Sequence, residues 1–190
     1  DLAGTLTLTG TNTYSGNTAI AASGGSLVIG TAGSLGSGSY AGQVTLGAST
    51  TFTYSSSASQ TLSGKITGSG ALTKDTSSSS TLTLSGSTSD YTGPTTVSSG
   101  IVKVTTSAAL GGSGSGEGTT VASGGAVHVD GSGLSLAEPF TISGTGSSST
   151  GALLNLANAN TITGAVTLGA DATVGSTLGT FTFNVASGNS

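Results

Sequence analysis

The chain has 190 residues, 34 of them Gly, with no Cys, Met or Trp, and only 5% are charged, against about 25% in an ordinary soluble domain. Three basic residues against seven acidic ones give a net charge of −4, too few cations to neutralise a run of phosphates or to dock on anionic lipid. Ser and Thr supply roughly 37% of the sequence, yet apolar residues make up 34% and recur along its whole length, a pattern that a disordered linker lacks.

Taken in order, the apolar residues alternate. Leu6 and Leu8 sit among Thr5, Thr7 and Thr9, and Leu27 and Ile29 flank Val28. Val44 with Leu46, Phe52 with Tyr54, Leu82 with Leu84, Val102 with Val104 and Val127 with Val129 repeat the spacing. Leu134 with Leu136, Phe140 with Ile142, Val166 with Leu168, and Phe181 with Phe183 and Val185 complete it. A period of two predicts half-buried strands with one face in and one face out, and β-branched Thr, Val and Ile suit that backbone. Gly, Asn, Asp and Ser clusters punctuate the strands every few residues, with turns predicted at 34–38 and 108–114. No stretch has a helical period, and none approaches the ~18 apolar residues of a membrane helix. With no initiator Met and no charged start, a secretion signal is expected to be absent or already removed.

Residues 4–18 read GTLTLTGTNTYSGNT and residues 80–95 read STLTLSGSTSDYTGPT. Aligning Leu6 on Leu82 gives an offset of about 76 residues, and the match continues with Tyr14 on Tyr91, Ile20 on Val97 and Leu35 on Leu110. Internal repetition of short strands separated by turns predicts a solenoid, in which each coil covers the open face of the previous one. Coils of ~20–25 residues make about eight turns and a rod near 40 Å long. The expected fold is all-β: a single elongated parallel β-helix over residues 1–190, with apolar ladders inside and hydroxyls outside. Stacked like charges ~5 Å apart repel, so the scarcity of charge follows from the same architecture.

The order of the motifs carries a family resemblance. Residues 61–74 read TLSGKITGSGALTK and lead to TLTLSGSTSDYTGPTTVSSGIVKV at 81–104. This resembles the autotransporter-associated β-strand repeat of large Gram-negative surface proteins. Gly68, Gly70, Leu72 and Lys74 stand at its lead, followed by Leu82, Leu84, Gly86, Tyr91, Gly93, Thr95 and Val97. The first copy supplies Leu6, Leu8, Gly10, Asn12, Tyr14, Gly16, Thr18 and Ile20; the second departs from the pattern at Ser89, Asp90 and Pro94. Residues 151–175 resemble a further motif of such passengers. The resemblance implies a right-handed parallel β-helix, secretion, and a place on the outer cell surface as a stalk or adhesin, in a chain that is part of, or processed from, a longer protein. The few aromatic residues, 4 Phe and 4 Tyr, do not supply the girdles of an outer-membrane barrel.

Chemistry is sparse. His128, alone of its type, lies on the outward side of a strand and reads as a solvated residue; one His without Cys makes a zinc site improbable, and no G-x-S-x-G elbow is present. The acids Asp1, Asp75, Asp90, Glu117, Asp130, Glu138 and Asp171 are scattered singly and read as turn or solvated residues, although coil stacking can bring distant acids together, as a polysaccharide-cleaving β-helix requires. An incidental Ca²⁺ site at Asp130 would need carbonyls from its loop. Residues 111–118, GGSGSGEG, lack the Lys-Ser/Thr ending of a phosphate loop and read as a turn. Tyr14 and Tyr91 recur at equivalent sites and read as corner residues rather than sugar platforms. Thr5-Leu6-Thr7 and Thr81-Leu82-Thr83 resemble the T-x-T ranks of ice-binding solenoids, but the outward positions drift among Thr, Ser, Lys and Ala, so the rank reads as broken.

No catalytic, cofactor-binding or metal-binding residue is therefore assigned, and no cofactor is expected. The expected function is a non-enzymatic extracellular stalk, adhesin or fibre subunit, with carbohydrate binding or cleavage as the alternative. The expected partners are neighbouring coils of a longer chain or a second copy stacked end to end, with a host or matrix glycan as a further possibility and no nucleic acid or membrane insertion.

Overall fold

The computed structural model describes residues 4–21, 24–76 and 79–185. Asp1 and the end of the expected last strand's tail, 186–190, lie outside the described residues. Every strand pairing among those described is parallel, and the strands form one 13-stranded and two three-stranded sheets. No α-helix is present among them; Gly36–Gly38 and Ser147–Ser149 are single 3₁₀ turns. The chain is a β-solenoid of about eight coils.

Three faces run along it. The first is built from Thr5–Leu8, Ser26–Ile29, Thr51–Tyr54 and Ala71–Lys74, then the opening residues of the long strands Thr95–Val104 and Thr119–Asp130, then Phe140–Gly144 and Val166–Ala172. The second face takes Ser39–Tyr40, Gln60–Leu62 and Thr81–Leu84, the closing residues of both long strands, Leu153–Ala157 and Val174–Ser176. The third begins with Thr18–Ile20, Val44–Leu46 and Ile66–Gly68 and ends with Ser135–Leu136, Asn160–Ile162 and Phe181–Phe183. Between these two groups single backbone bonds keep the stacking, from Thr92 N to Gly68 O at 2.8 Å and from Gly112 N to Tyr91 O at 2.9 Å. One coil takes between 20 residues (Thr51 beside Ala71) and 26 (Phe140 beside Val166), rising to 28 past a bulge (Gly144 beside Ala172).

The sequence repeat does not follow the faces. Leu6 and Leu8 lie on the first face, whereas Leu82 and Leu84 lie on the second. In both copies the opening T-L-T-L strand pairs with the strand one coil later: Thr5 with Ser26, and Thr81 with Ile101. The repeat thus marks one coil and its closure. Turns of unequal length let the second copy arrive one face out of phase.

The inward positions form ladders. Leu27, Phe52 and Leu72 stack in register and are buried, as are Leu62, Leu84, Val104 and Val129 on the second face. Apolar burial of this kind is worth roughly 25 cal/mol per Å². At the corner between the second and third faces, Gly42, Gly64 and Gly86 stack so closely that a Cβ on Gly64 would overlap the Gly42 carbonyl oxygen, and one on Gly86 the Gly64 oxygen.

One outward column corrects the reading of a broken hydroxyl rank. On the first face Thr7, Val28, Thr53, Thr73, Thr96, Thr120, Thr141 and Thr167 stand in continuous register. Threonine therefore occupies seven of eight coils. The drift belongs to the other outward columns: Thr5, Ser26, Thr51 and Ala71 beside it on the first face, and Thr61, Thr83, Lys103 and His128 on the second.

The glycine corner gives a direct test. Gly64→Ala is expected to lower the unfolding free energy by about 1–3 kcal/mol, read as a shift of the urea midpoint. Gly10→Ala, whose added methyl meets nothing within 4 Å, is expected to stay within about 0.5 kcal/mol of the parent.

Candidate functional site

A buried polar cluster lies inside the solenoid, where the third face turns into the first. Thr95 and Thr119 occupy inward positions in the ladder between Leu72 and Phe140 and are adjacent in register. Both are buried, with their hydroxyls satisfied: Thr95 Oγ1 and the Tyr91 hydroxyl share a bond of 2.6 Å, and Thr119 Oγ1 donates to Glu138 Oε1 at 2.6 Å. Glu138 is only 4% exposed, which corrects its reading as a solvated acid. Burial pushes its carboxyl up to about 8, the Thr119 bond opposes this, and the nearby Glu117 carboxylate adds to the rise. The side chain is protonated at neutral pH. Glu117 itself accepts the Gly114 N–H at 2.6 Å and closes the glycine-rich turn. Burial also raises the Tyr91 phenol far above its ordinary value, with Glu138 contributing to the rise.

Lys74 is a second buried ionisable group. Its strand places it inward between Tyr54 and Val97, and it is fully buried. The ammonium donates to the carbonyls of Asp75 at 3.2 Å and Thr76 at 2.9 Å, and stands 5.8 Å from the Tyr54 ring centroid. Desolvation lowers its pKa to about 8, against the pull of the Asp75 carboxylate. Lys74 shares the inward phase of Leu72, two residues before it, but Lys is rarely buried and its partners are backbone oxygens of a turn, which no spacing reveals.

The remaining acids do not converge. Asp75 Oδ1 accepts the Thr76 N–H and holds a turn, as its residue type predicts. Asp90 pairs with Lys65 at 2.6 Å, and Asp130 with Lys103 at 3.0 Å. Each pair joins neighbouring coils. Asp171 is exposed and lies within the strand Val166–Ala172 rather than in a turn. His128 is outward, as read, and stacks between Lys103 and Leu154. Its Nε2, however, is covered and without a hydrogen-bond partner, and desolvation together with Lys103 lowers its pKa. Among the described residues no group of three His, Cys, Asp or Glu side chains is placed to hold a metal ion. A cavity of about 670 Å³ opens on the interior of the first coil, lined by Leu6, Leu8, Tyr14, Ile20 and Leu27.

The tyrosines recur for a structural reason. Tyr14 OH and Thr18 Oγ1 lie 3.2 Å apart, four residues along the chain, matching the Tyr91–Thr95 bond. Tyr40 reaches back one coil to Thr18 at 2.7 Å and to the Gly16 carbonyl, and its ring meets Tyr14 edge-on with centroids 5.7 Å apart. The passenger-associated-transport-repeat family model matches residues 3–29 and 77–104. The chain is thus similar to this repeat in two separate segments. The two matches together cover less than a third of the sequence, and no curated protein and no solved structure matches the chain. Each of the two matched segments contains one Tyr-x-Gly-x-Thr corner, and the hydroxyl bond is what its Tyr and Thr provide. Tyr91 is buried under later coils, while Tyr14, on the first described coil, is 40% exposed.

The segment 151–175 builds another corner. Asn160 Nδ2 donates to Asn155 Oδ1 at 2.8 Å and to Gly131 O at 3.0 Å, and Asn155 Nδ2 donates to Leu178 O at 3.2 Å. Two buried amides thus tie three coils together, which explains why this stretch is rich in Asn.

The buried carboxyl sets a pH dependence. Its pKa is raised from 4.5 to about 8 on folding, so its contribution is complete below pH 4.5 and is lost as pH rises towards 8. The urea midpoint is expected to fall between pH 5 and 7.5. Glu138→Gln, which cannot ionise, is expected to flatten that decline; an equally steep fall in the variant would show that Glu138 is not its source.

Proposed function

We propose that the chain is a segment of a secreted passenger on the outer surface of a Gram-negative cell, acting as a non-catalytic stalk or adhesive rod. The observation that carries this reading is an unbroken parallel solenoid built around two segments that match the passenger-associated-transport repeat. The chemistry supports it. The most perturbed acid, Glu138, is enclosed by its own coil contacts, and the paired ions serve to join coils. Among the described residues no helix is long and apolar enough to cross a membrane.

The rungs at both ends of the described solenoid carry exposed apolar residues: Leu6 at one end, and Leu168, Val174 and Phe183 at the other. Further coils of a longer chain, or a second copy stacked end to end, would bury them and satisfy the strand edges. Host or matrix glycan is the adhesive partner this reading allows.

The test is display of the chain on a Gram-negative cell through an appended translocation barrel. Expected are surface labelling of intact cells, resistance of the folded rod to added protease, and no release of sugar fragments from a panel of polysaccharides. Glycan cleavage that disappears in Glu138→Gln would instead establish the enzymatic alternative.

A further inference from the structure

Stacking favours Thr at outward positions but does not require it at every coil, and the column of the first face is far more uniform than its neighbour of Thr5, Ser26, Thr51 and Ala71. It runs through eight coils in unbroken register, with Val28 its one departure. At ~4.8 Å per coil it extends roughly 34 Å. No side-chain hydrogen bond among the described residues engages its hydroxyls, whereas Thr105, Thr106 and Thr163 elsewhere donate to carbonyls of the preceding coil. All members are half-buried or exposed. The result is a row of threonine side chains, each with a methyl and a hydroxyl, at the coil repeat.

A single hydroxyl binds weakly, so this row gains affinity only from a partner that repeats with it. Then many weak contacts add with little further loss of freedom. The neighbouring positions narrow the partner. Among the described residues no aromatic side chain points outward from the face, Phe52, Tyr54 and Phe140 being buried, and sugar recognition relies on such platforms. For the same reason the described outer surface of the face offers no Arg, Trp or Tyr to anchor a protein interface. Among the described residues the outward charges of this face are Asp75, two residues after Thr73, and Asp171, in its last strand. Uncharged, regularly spaced hydroxyls and methyls are suited to holding ordered water through hydrogen bonds, and ice is the periodic solid made of it.

We propose that the first face binds ice, with its outward threonine column as the contact. This goes beyond the surface-rod reading and does not depend on it.

The experiment measures thermal hysteresis and inhibition of ice recrystallisation by the whole chain. Thr96→Tyr and Thr120→Tyr break the middle of the column, and Thr83→Tyr places the same bulk on the second face; circular dichroism and urea unfolding confirm that each is folded. The parent and Thr83→Tyr are expected to be equally active, with Thr96→Tyr and Thr120→Tyr reduced at least about fivefold. A folded parent without either activity would overturn the proposal. So would column variants as active as the parent. Sedimentation with insoluble chitin or cellulose that is lost in the same two variants, without any effect on ice, would assign the face to a glycan and also overturn it.

Discussion

Main-chain hydrogen bonding between successive parallel coils governs everything else in this molecule. It places each residue about 4.8 Å from its equivalents above and below, so any property of a side chain is repeated or opposed at close range. Repetition favours Leu, Val and Ile inside and Thr outside, since neither group suffers by stacking on itself. It penalises charge. The ions that do occur are arranged accordingly, with Lys65 against Asp90 and Lys103 against Asp130 on neighbouring coils.

The same bonding explains the polar interior. A solenoid coil has to turn three corners, and each corner leaves backbone groups that a straight ladder would pair. Tyr91 with Thr95, Thr119 with Glu138, and Asn155 with Asn160 supply bonds at those places. Lys74 satisfies two turn carbonyls from within the core. Buried polar groups without partners cost several times what a made bond contributes, so these side chains are fixed by the geometry of the corner. Their shifted ionisation is a consequence of that burial. It does not by itself mark a site of chemistry.

Much of the fold was legible because alternation and repetition are local properties. Leu82-Thr83-Leu84 and Tyr91-x-Gly93-x-Thr95 announce a strand and a corner to any reader of the sequence. Glu138 was not legible: its neighbours Ala137 and Pro139 suggest a loop, and only the coil carrying Thr119 encloses it. His128 was half legible, since strand parity gave its outward direction, while the cover over Nε2 comes from packing against adjacent coils. The threonine column was missed for a different reason. Its members lie 20 to 26 residues apart at irregular intervals, so no fixed period in the sequence connects them.

The sequence by itself determined strand, turn and solenoid, because a period of two and a repeated coil are written in consecutive residues. Only the tertiary structure decided which residues share a face, because turns of unequal length set the phase between coils and inter-coil hydrogen bonds then lock it. That phase placed the two repeats on different faces, enclosed Glu138 and Lys74, and aligned seven threonines into one row.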